Sequence, residues 1–255
     1  MSGPEVIPMP EEVPAGRTGK GEQTRALILE TALELFRERG YEDTTMRAIA
    51  ERAGVALGST YYYFRSKEAL IQSFYGRTHQ EHLAAVGGVL ADERTFRARL
   101  LGVMRAKLET IEPYHRFSGI LFKTAADPES PLNPFSQESR PVREEATELF
   151  AEVVRGSEGL RVPPDLMAEL PGLLWTWHMG IVLFWIHDRS PGRARTWRLM
   201  ERTVELVARL VQLAGNPLLA PLRKLTLRLV RELRDDEAAP AGEADESGEV
   251  GGTRT

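Results

Sequence analysis

Residues 44–64 read TTMRAIAERAGVALGSTYYYF, and the rest of the chain is organised around them. Ile49, Ala50 and Ala53 give one short helix, near 45–52, a small apolar inner face. Thr44 or Thr45 stands where a hydroxyl can cap its free amides. Gly54 falls where a tight turn needs a residue that tolerates positive φ. A second short helix is expected over 57–63, with Val55 and Phe64 pinning its ends to a core. Its outer face then carries Ser59, Tyr61, Tyr62 and, at the end, Tyr63. Three consecutive tyrosines cannot all face a core, so at least one hydroxyl is left for a phosphate or a base edge. Seven helical residues span about 10 Å, a length that lies within a DNA major groove. These local requirements agree on a helix-turn-helix rather than on two helices packed without purpose.

The flanking sequence is helical on both sides. A first helix over 22–39 has Ile28, Ala32, Leu35 and Phe36 on one stripe, with Gly40 as its cap. Ser66 caps a long helix with Leu70, Phe74, Leu83 and Val86 inward. Further helices are expected near 95–111, 114–126, 141–154, 164–187, 193–213 and 217–233, with a proline-rich loop, DPESPLNPF, at 127–135. No run of alternating β-branched residues appears, so the fold class is all-α. The divisions expected are a disordered arm over 1–21, the helix-turn-helix head over 22–66, a helical body over 67–234 and a disordered acidic tail over 235–255.

Composition removes several functions. The 255 residues include no cysteine, which excludes disulfides, thiolate zinc, iron–sulfur clusters and cysteine nucleophiles. It also fits a cytoplasmic protein. The opening MSGPEVIPMPEEVPAG has no apolar core and does not read as a signal peptide. The most apolar stretch, 170–186, contains Pro171, Thr176 and His178, and is short for a span that needs about 20 residues. A helix hidden in protein is expected, and no membrane partner. His79 and His82, with Glu81 between them, lack an evident third metal ligand. Asp188 beside His187 has no nucleophile motif around it. No glycine-rich phosphate loop or serine elbow is present. No catalytic residue, metal or cofactor is therefore expected.

The segment from Thr24 to Leu70 resembles the DNA-binding domain of TetR-family (tetracycline-repressor-like) transcriptional regulators. The resemblance rests on LFRERGY at the end of the first helix, then TTMRAIAERAGV, GSTYYYF and RSKEAL. Thr60 stands where many members carry an aliphatic residue, and its methyl group can still face the core. The resemblance implies a homodimeric, ligand-responsive repressor on a palindromic operator in double-stranded DNA, released by a small-molecule effector. It implies that Thr45 caps the second helix and touches a phosphate, and that Arg47 reaches a base or phosphate. Gly58, Ser59, Tyr61 and Tyr62 would line the groove face, with Gly58 letting the backbone approach. Tyr63 and Lys67 would bind flanking phosphates. Thr24 and Arg25 are weaker phosphate candidates. Arg17 and Lys20, in the arm, are equally well read as solvated charges.

The body says less. Trp197, Met200, Val204, Val207 and Val211 are spaced 3, 4, 3, 4, a seam for another helix. Leu199, Leu206, Leu210 and Leu213 widen it. An intramolecular core could use this stripe; the resemblance favours a dimer face. An effector pocket is expected among Tyr114, Phe117, Phe122, Trp175, Trp177, His178 and Phe184, with Phe135 near, although each aromatic alone also reads as core. His178 is the strongly polar side chain of the apolar helix. A mostly apolar effector would suit these walls. Two other readings stand beside this one: a DNA-binding regulator or architectural factor without an effector, and an α-helical enzyme. A body running over 67–234 is far larger than DNA contact needs, which favours sensing.

The net charge of −4 looks unfavourable for DNA until it is located. The tail over 235–255 holds seven acids and one arginine, and the arm over 1–16 three glutamates, leaving +5 for 17–234. The stretch 17–80 has ten basic and eight acidic side chains. So modest a basic head is expected to need two copies on one site, with base contacts added to the phosphate attraction.

Overall fold

The computed structural model describes residues 15–238. Of the arm expected over 1–21, residues 1–14 and the Arg17 side chain, and of the tail expected over 235–255, residues 239–255, lie outside the residues described. The described chain is helical without a strand: α1 (Ala15–Arg39), α2 (Met46–Ala53), α3 (Leu57–Tyr63), α4 (Lys67–Asp92), α5 (Phe96–Ile111), α6 (His115–Ala125), α7 (Arg140–Arg155), α8 (Pro164–Met167), α9 (Leu170–His187), α10 (Ala194–Ala214) and α11 (Ala220–Ala238).

The helix starts follow from side-chain caps. Thr45, Ser66 and Thr95 accept from the amides of Ala48, Ala69 and Ala98 at 3.1, 3.2 and 3.3 Å, each satisfying an otherwise orphaned donor. Three boundaries differ from expectation. Helix α1 begins at Ala15 rather than near residue 22, and α11 runs on to Ala238. The apolar stretch expected as one helix over 164–187 is broken into α8 and α9. Pro171 is the second residue of α9, where its missing N–H costs nothing and no kink follows. No described helix is long and apolar enough to cross a membrane.

Two apolar cores form. The body core joins Leu100, Val103, Met104 and Leu108 of α5 to Phe150 and Val153 of α7, Leu174 and Trp185 of α9, and Met200 and Val204 of α10. Arg99 is buried at its edge. It donates to the carbonyls of Leu90 (2.6 Å) and Glu93 near the end of α4, and to Glu152 and Val153 near the end of α7. One cation thereby serves two helix C-termini, where carbonyls lack partners. The second core contains the head residues Ile28, Leu33, Phe36, Ile49 and Phe64, and α4 residues Leu70, Ile71 and Phe74. It does not stop at the head. Phe117, Leu121 and Ala125 of α6 belong to it, and Phe117 stacks on Phe36 at 6.1 Å and meets Phe74 edge-on at 5.2 Å.

Candidate nucleic-acid interface and body cavity

The α2–α3 pair has the geometry that its sequence requires. Gly54 adopts φ 67°, ψ 29°, the left-handed conformation that closes the turn. Thr60 is fully buried and donates to the Ala56 carbonyl at 3.4 Å, so its hydroxyl is accounted for inside. That inward turn sends its neighbours out: Tyr61 is half exposed and Tyr62 is 82% exposed, with Tyr63 packed edge-on against Tyr62 at 5.1 Å. Ser59 and Gly58 are exposed on the same short helix. A Cβ on Gly58 would meet no atom of the chain, so packing within the protein does not require glycine there.

The basic candidates divide. Arg47 is exposed at the start of α2 and has no hydrogen bond or ion pair among the described residues. Arg25 is committed to the fold, donating to Ser73 Oγ at 2.8 Å and lying 4.9 Å over the Phe64 ring. The Lys67 ammonium donates to the Tyr41 carbonyl at 2.7 Å and to that of Glu42 at 3.3 Å, above the Tyr41 ring. It therefore ties the α1–α2 turn to α4, an attachment that a reading as a point charge misses. Thr24 donates to Lys20 one turn back, at 2.9 Å.

The body holds a partly open cavity of about 230 Å³ between α4, α5, α6, α7 and α9. Of the expected pocket residues, Tyr114, Phe122, Trp175 and His178 line it. Phe117, Trp177 and Phe184 do not. Phe117 is consumed by the head core, Trp177 packs against the body core, and Phe184 lies under the Arg195 guanidinium at 5.7 Å. Phe135 is largely exposed, edge-on to Trp175. The wall also includes Gln72, Tyr75, His79, Lys107 and Arg143, which sequence reasoning did not single out. Lys107 was the readable one: it lies three residues after Met104 and four after Val103, on the inward stripe of α5.

Three of the histidines, His82, His79 and His115, lie against local partners. His82 Nε2 is 3.0 Å from the Val103 carbonyl, and burial lowers its pKa to about 3. His79 Nε2 is 3.2 Å from a Glu145 carboxylate oxygen. His115 meets the Trp185 carbonyl at 2.8 Å. No group of three or more potential ligands for a metal ion occurs among the described residues. Asp188 accepts from the Ser190 and Thr196 amides at 2.9 and 2.8 Å and from the Thr196 hydroxyl at 2.7 Å. It ties down the first turn of α10.

The stripe expected as a dimer face needs correction. Met200, Val204 and Val211 are buried within the chain, and Trp197 and Val207 pack against the same core. The seam pairs with α5 and α9, the intramolecular partner that the spacing equally allowed. What remains outside is the neighbouring row: Leu206, Leu210 and Leu213 of α10, each more than half exposed, and Leu218, Leu222, Leu225 and Leu229 at and along α11. Helix α11 is fixed to the body by Arg223–Asp165 (3.2 Å) and Arg231–Glu169 (2.9 Å).

Residues 28–74 match the family described as bacterial regulatory proteins, tetR family, and residues 99–229 match the tetracyclin repressor-like C-terminal domain. A transcriptional repressor of Rhodococcus jostii, KstR2, is 31% identical over 110 residues, covering 43% of this chain and 52% of that protein. The transcriptional regulator TtgR of Pseudomonas putida is 40% identical over 63 residues, 25% of this chain and 30% of that protein. The chain thus spans about half the length, or less, of these curated relatives. Among solved structures, a TetR-family regulator from Streptomyces coelicolor superposes with a TM-score of 0.56 at 20% identity, covering 86% of this chain and 99% of that one. A TetR regulator from Nitrosomonas europaea gives 0.56 at 20% identity, covering 73% and 98%. At such identities the likeness is one of fold.

Proposed function

The chain belongs to the TetR family of bacterial regulatory proteins, and from that membership we propose a cytoplasmic repressor that binds a palindromic operator as a homodimer and is released by a small effector. The family's members are regulators rather than enzymes, and the enzymatic alternative falls away. The observation that carries the reading is α6. Phe117 lies in the head core, Ser118 and Phe122 line the body cavity, and Leu121, with Tyr114 just before the helix, touches both. Helix α4 is shared in the same way, with Phe74 in both the head core and the cavity wall and Thr78 and His79 at the cavity. A ligand that favours one packing of α4 and α6 over another biases the head by its difference in affinity for the two. The cavity also favours this reading over a regulator without an effector.

In this proposal α3 enters the major groove with Gly58, Ser59, Tyr61 and Tyr62 toward the bases. Thr45, Arg47 and Tyr63 take phosphates, and Lys67 keeps one N–H for a flanking phosphate. Two heads then sit about 34–36 Å apart, one turn of B-DNA. The test is selection of bound duplexes from a random library by the full-length protein. A palindrome with half-sites one turn apart is expected; recovery of no preferred sequence, or of unpaired single sites, removes the operator reading.

A further inference from the structure

We infer that the body cavity is built for an amphipathic monoanion, an apolar acid whose carboxylate meets the Lys107 ammonium and the His178 ring while its hydrocarbon part lies along Phe122, Trp175, Val182 and Ile186. This rests on the effector reading and gives it a chemistry.

The cavity wall is mostly apolar, yet its charges are one-sided. It includes Lys107, Arg143, His79 and His178, and no aspartate or glutamate. Arg143 is already committed, donating to the carbonyls of Pro134 and Ser136 at 2.7 and 3.0 Å. Lys107 is not: it has no hydrogen bond or ion pair among the described residues. An ammonium set against apolar walls without a counterion is costly, and such a group is ordinarily paired. Glu145, the acid beside His79, is exposed and outside the wall.

His178 points the same way independently. It is 6% exposed, lines the cavity, and neither ring nitrogen has a partner. Buried polar atoms are nearly always satisfied, so a histidine with both nitrogens unpaired by the protein beside an open volume is placed to pair with a ligand atom. Burial, with the Lys107 charge next in weight, holds this imidazole neutral. A neutral ring offers one N–H donor, and a carboxylate accepts from it and from the ammonium together. Burial alone lowers Lys107 to about 8, which leaves it largely charged at neutral pH. A ligand cation would meet Lys107 head-on, and a neutral apolar ligand would leave both groups unpaired.

Tryptophan fluorescence and calorimetry on the full-length chain test this, because Trp175 and Trp185 line the cavity. The probes are octanoate and 2-naphthoate, aliphatic and aromatic acids, against 1-octanol, 2-naphthalenemethanol and octylammonium. At least one acid is expected to bind about 10- to 100-fold more tightly than its alcohol, the range of a charge-assisted hydrogen bond. Lys107→Met should erase that preference while alcohol binding persists. Lys107→Gln, checked for folding by thermal melting, serves if the methionine variant does not fold. Equal affinity for acid and alcohol, tighter binding of octylammonium, no binding of either acid at millimolar concentration, or an acid preference that survives both substitutions overturns the inference. Operator release is scored separately. Acid binding without release sinks the effector reading and leaves the cavity chemistry standing; release by the alcohols or the amine alone does the reverse.

Discussion

Tyr62 is 82% exposed because Thr60, two residues earlier on a seven-residue helix, is held inside. A ring this free adds little to the fold, so its removal reports on binding. Tyr62→Ala is expected to cost about 1–3 kcal/mol on the selected operator and little on random duplex, read by fluorescence anisotropy at fixed salt. Equal losses on both would make it a backbone contact. Lys67 is the opposite case. Its two carbonyl contacts mean that a substitution there disturbs the α1–α2 turn as well as any phosphate, so an affinity loss at Lys67 does not isolate charge. The tyrosine triplet was legible in the sequence because three consecutive helical positions sweep more than half the helix circumference and cannot all face a core. The Lys67 attachment was not, because it joins α4 to a turn more than twenty residues earlier.

At the scale of the element, α10 shows how local chemistry sets a helix in place. Burial of Asp188 opposes its charge, but the Ser190 and Thr196 donors outweigh this and hold the carboxyl well below the usual range. A carboxyl depressed in the folded state stabilises it above the unfolded pKa, about 3.9. That contribution is lost as pH falls from there through the folded value. Asp188→Asn should therefore cost about 1–2 kcal/mol at pH 7, on the scale of lost helix caps, with the gap to the native chain closing as the pH is lowered below about 4. Urea unfolding across that range measures it, and a gap of constant size would refute it. Helix α6 makes the contrary point. Its sequence, HRFSGILFKTA, shows an amphipathic helix, but not that Phe117 faces the head and Phe122 the cavity. Only the position of its neighbours divides those faces.

For the whole molecule, the proposed homodimer has exposed leucines on α10 and α11 as its candidate face. Large contiguous apolar patches on soluble chains mark interfaces, and a second copy matches the heptad-like spacing of Leu218, Leu222, Leu225 and Leu229. The double variant Leu222→Glu, Leu225→Glu should sediment as a monomer at micromolar concentration and lose most operator affinity, with an unchanged helical spectrum. A native chain that is itself monomeric there, or a variant that stays dimeric, would remove this face from consideration. The spacing of Met200, Val204 and Val211 suits a second copy and an intramolecular core equally, and the family resemblance favours the former. The core prevails because an interior helix of the same chain supplies the same grooves as a partner would.

By itself the sequence determined the head almost completely. Capping hydroxyls, the positive-φ glycines Gly40 and Gly54 and a buried threonine act over short stretches of chain, and that range is written in order along the sequence. The all-helical body was equally readable from its periodicity. Tertiary structure alone decided which apolar face meets which. It drew Phe117 into the head, Val204 into the core and Arg143 to the cavity wall, because burial depends on what stands opposite, and residues that meet there lie far apart in sequence.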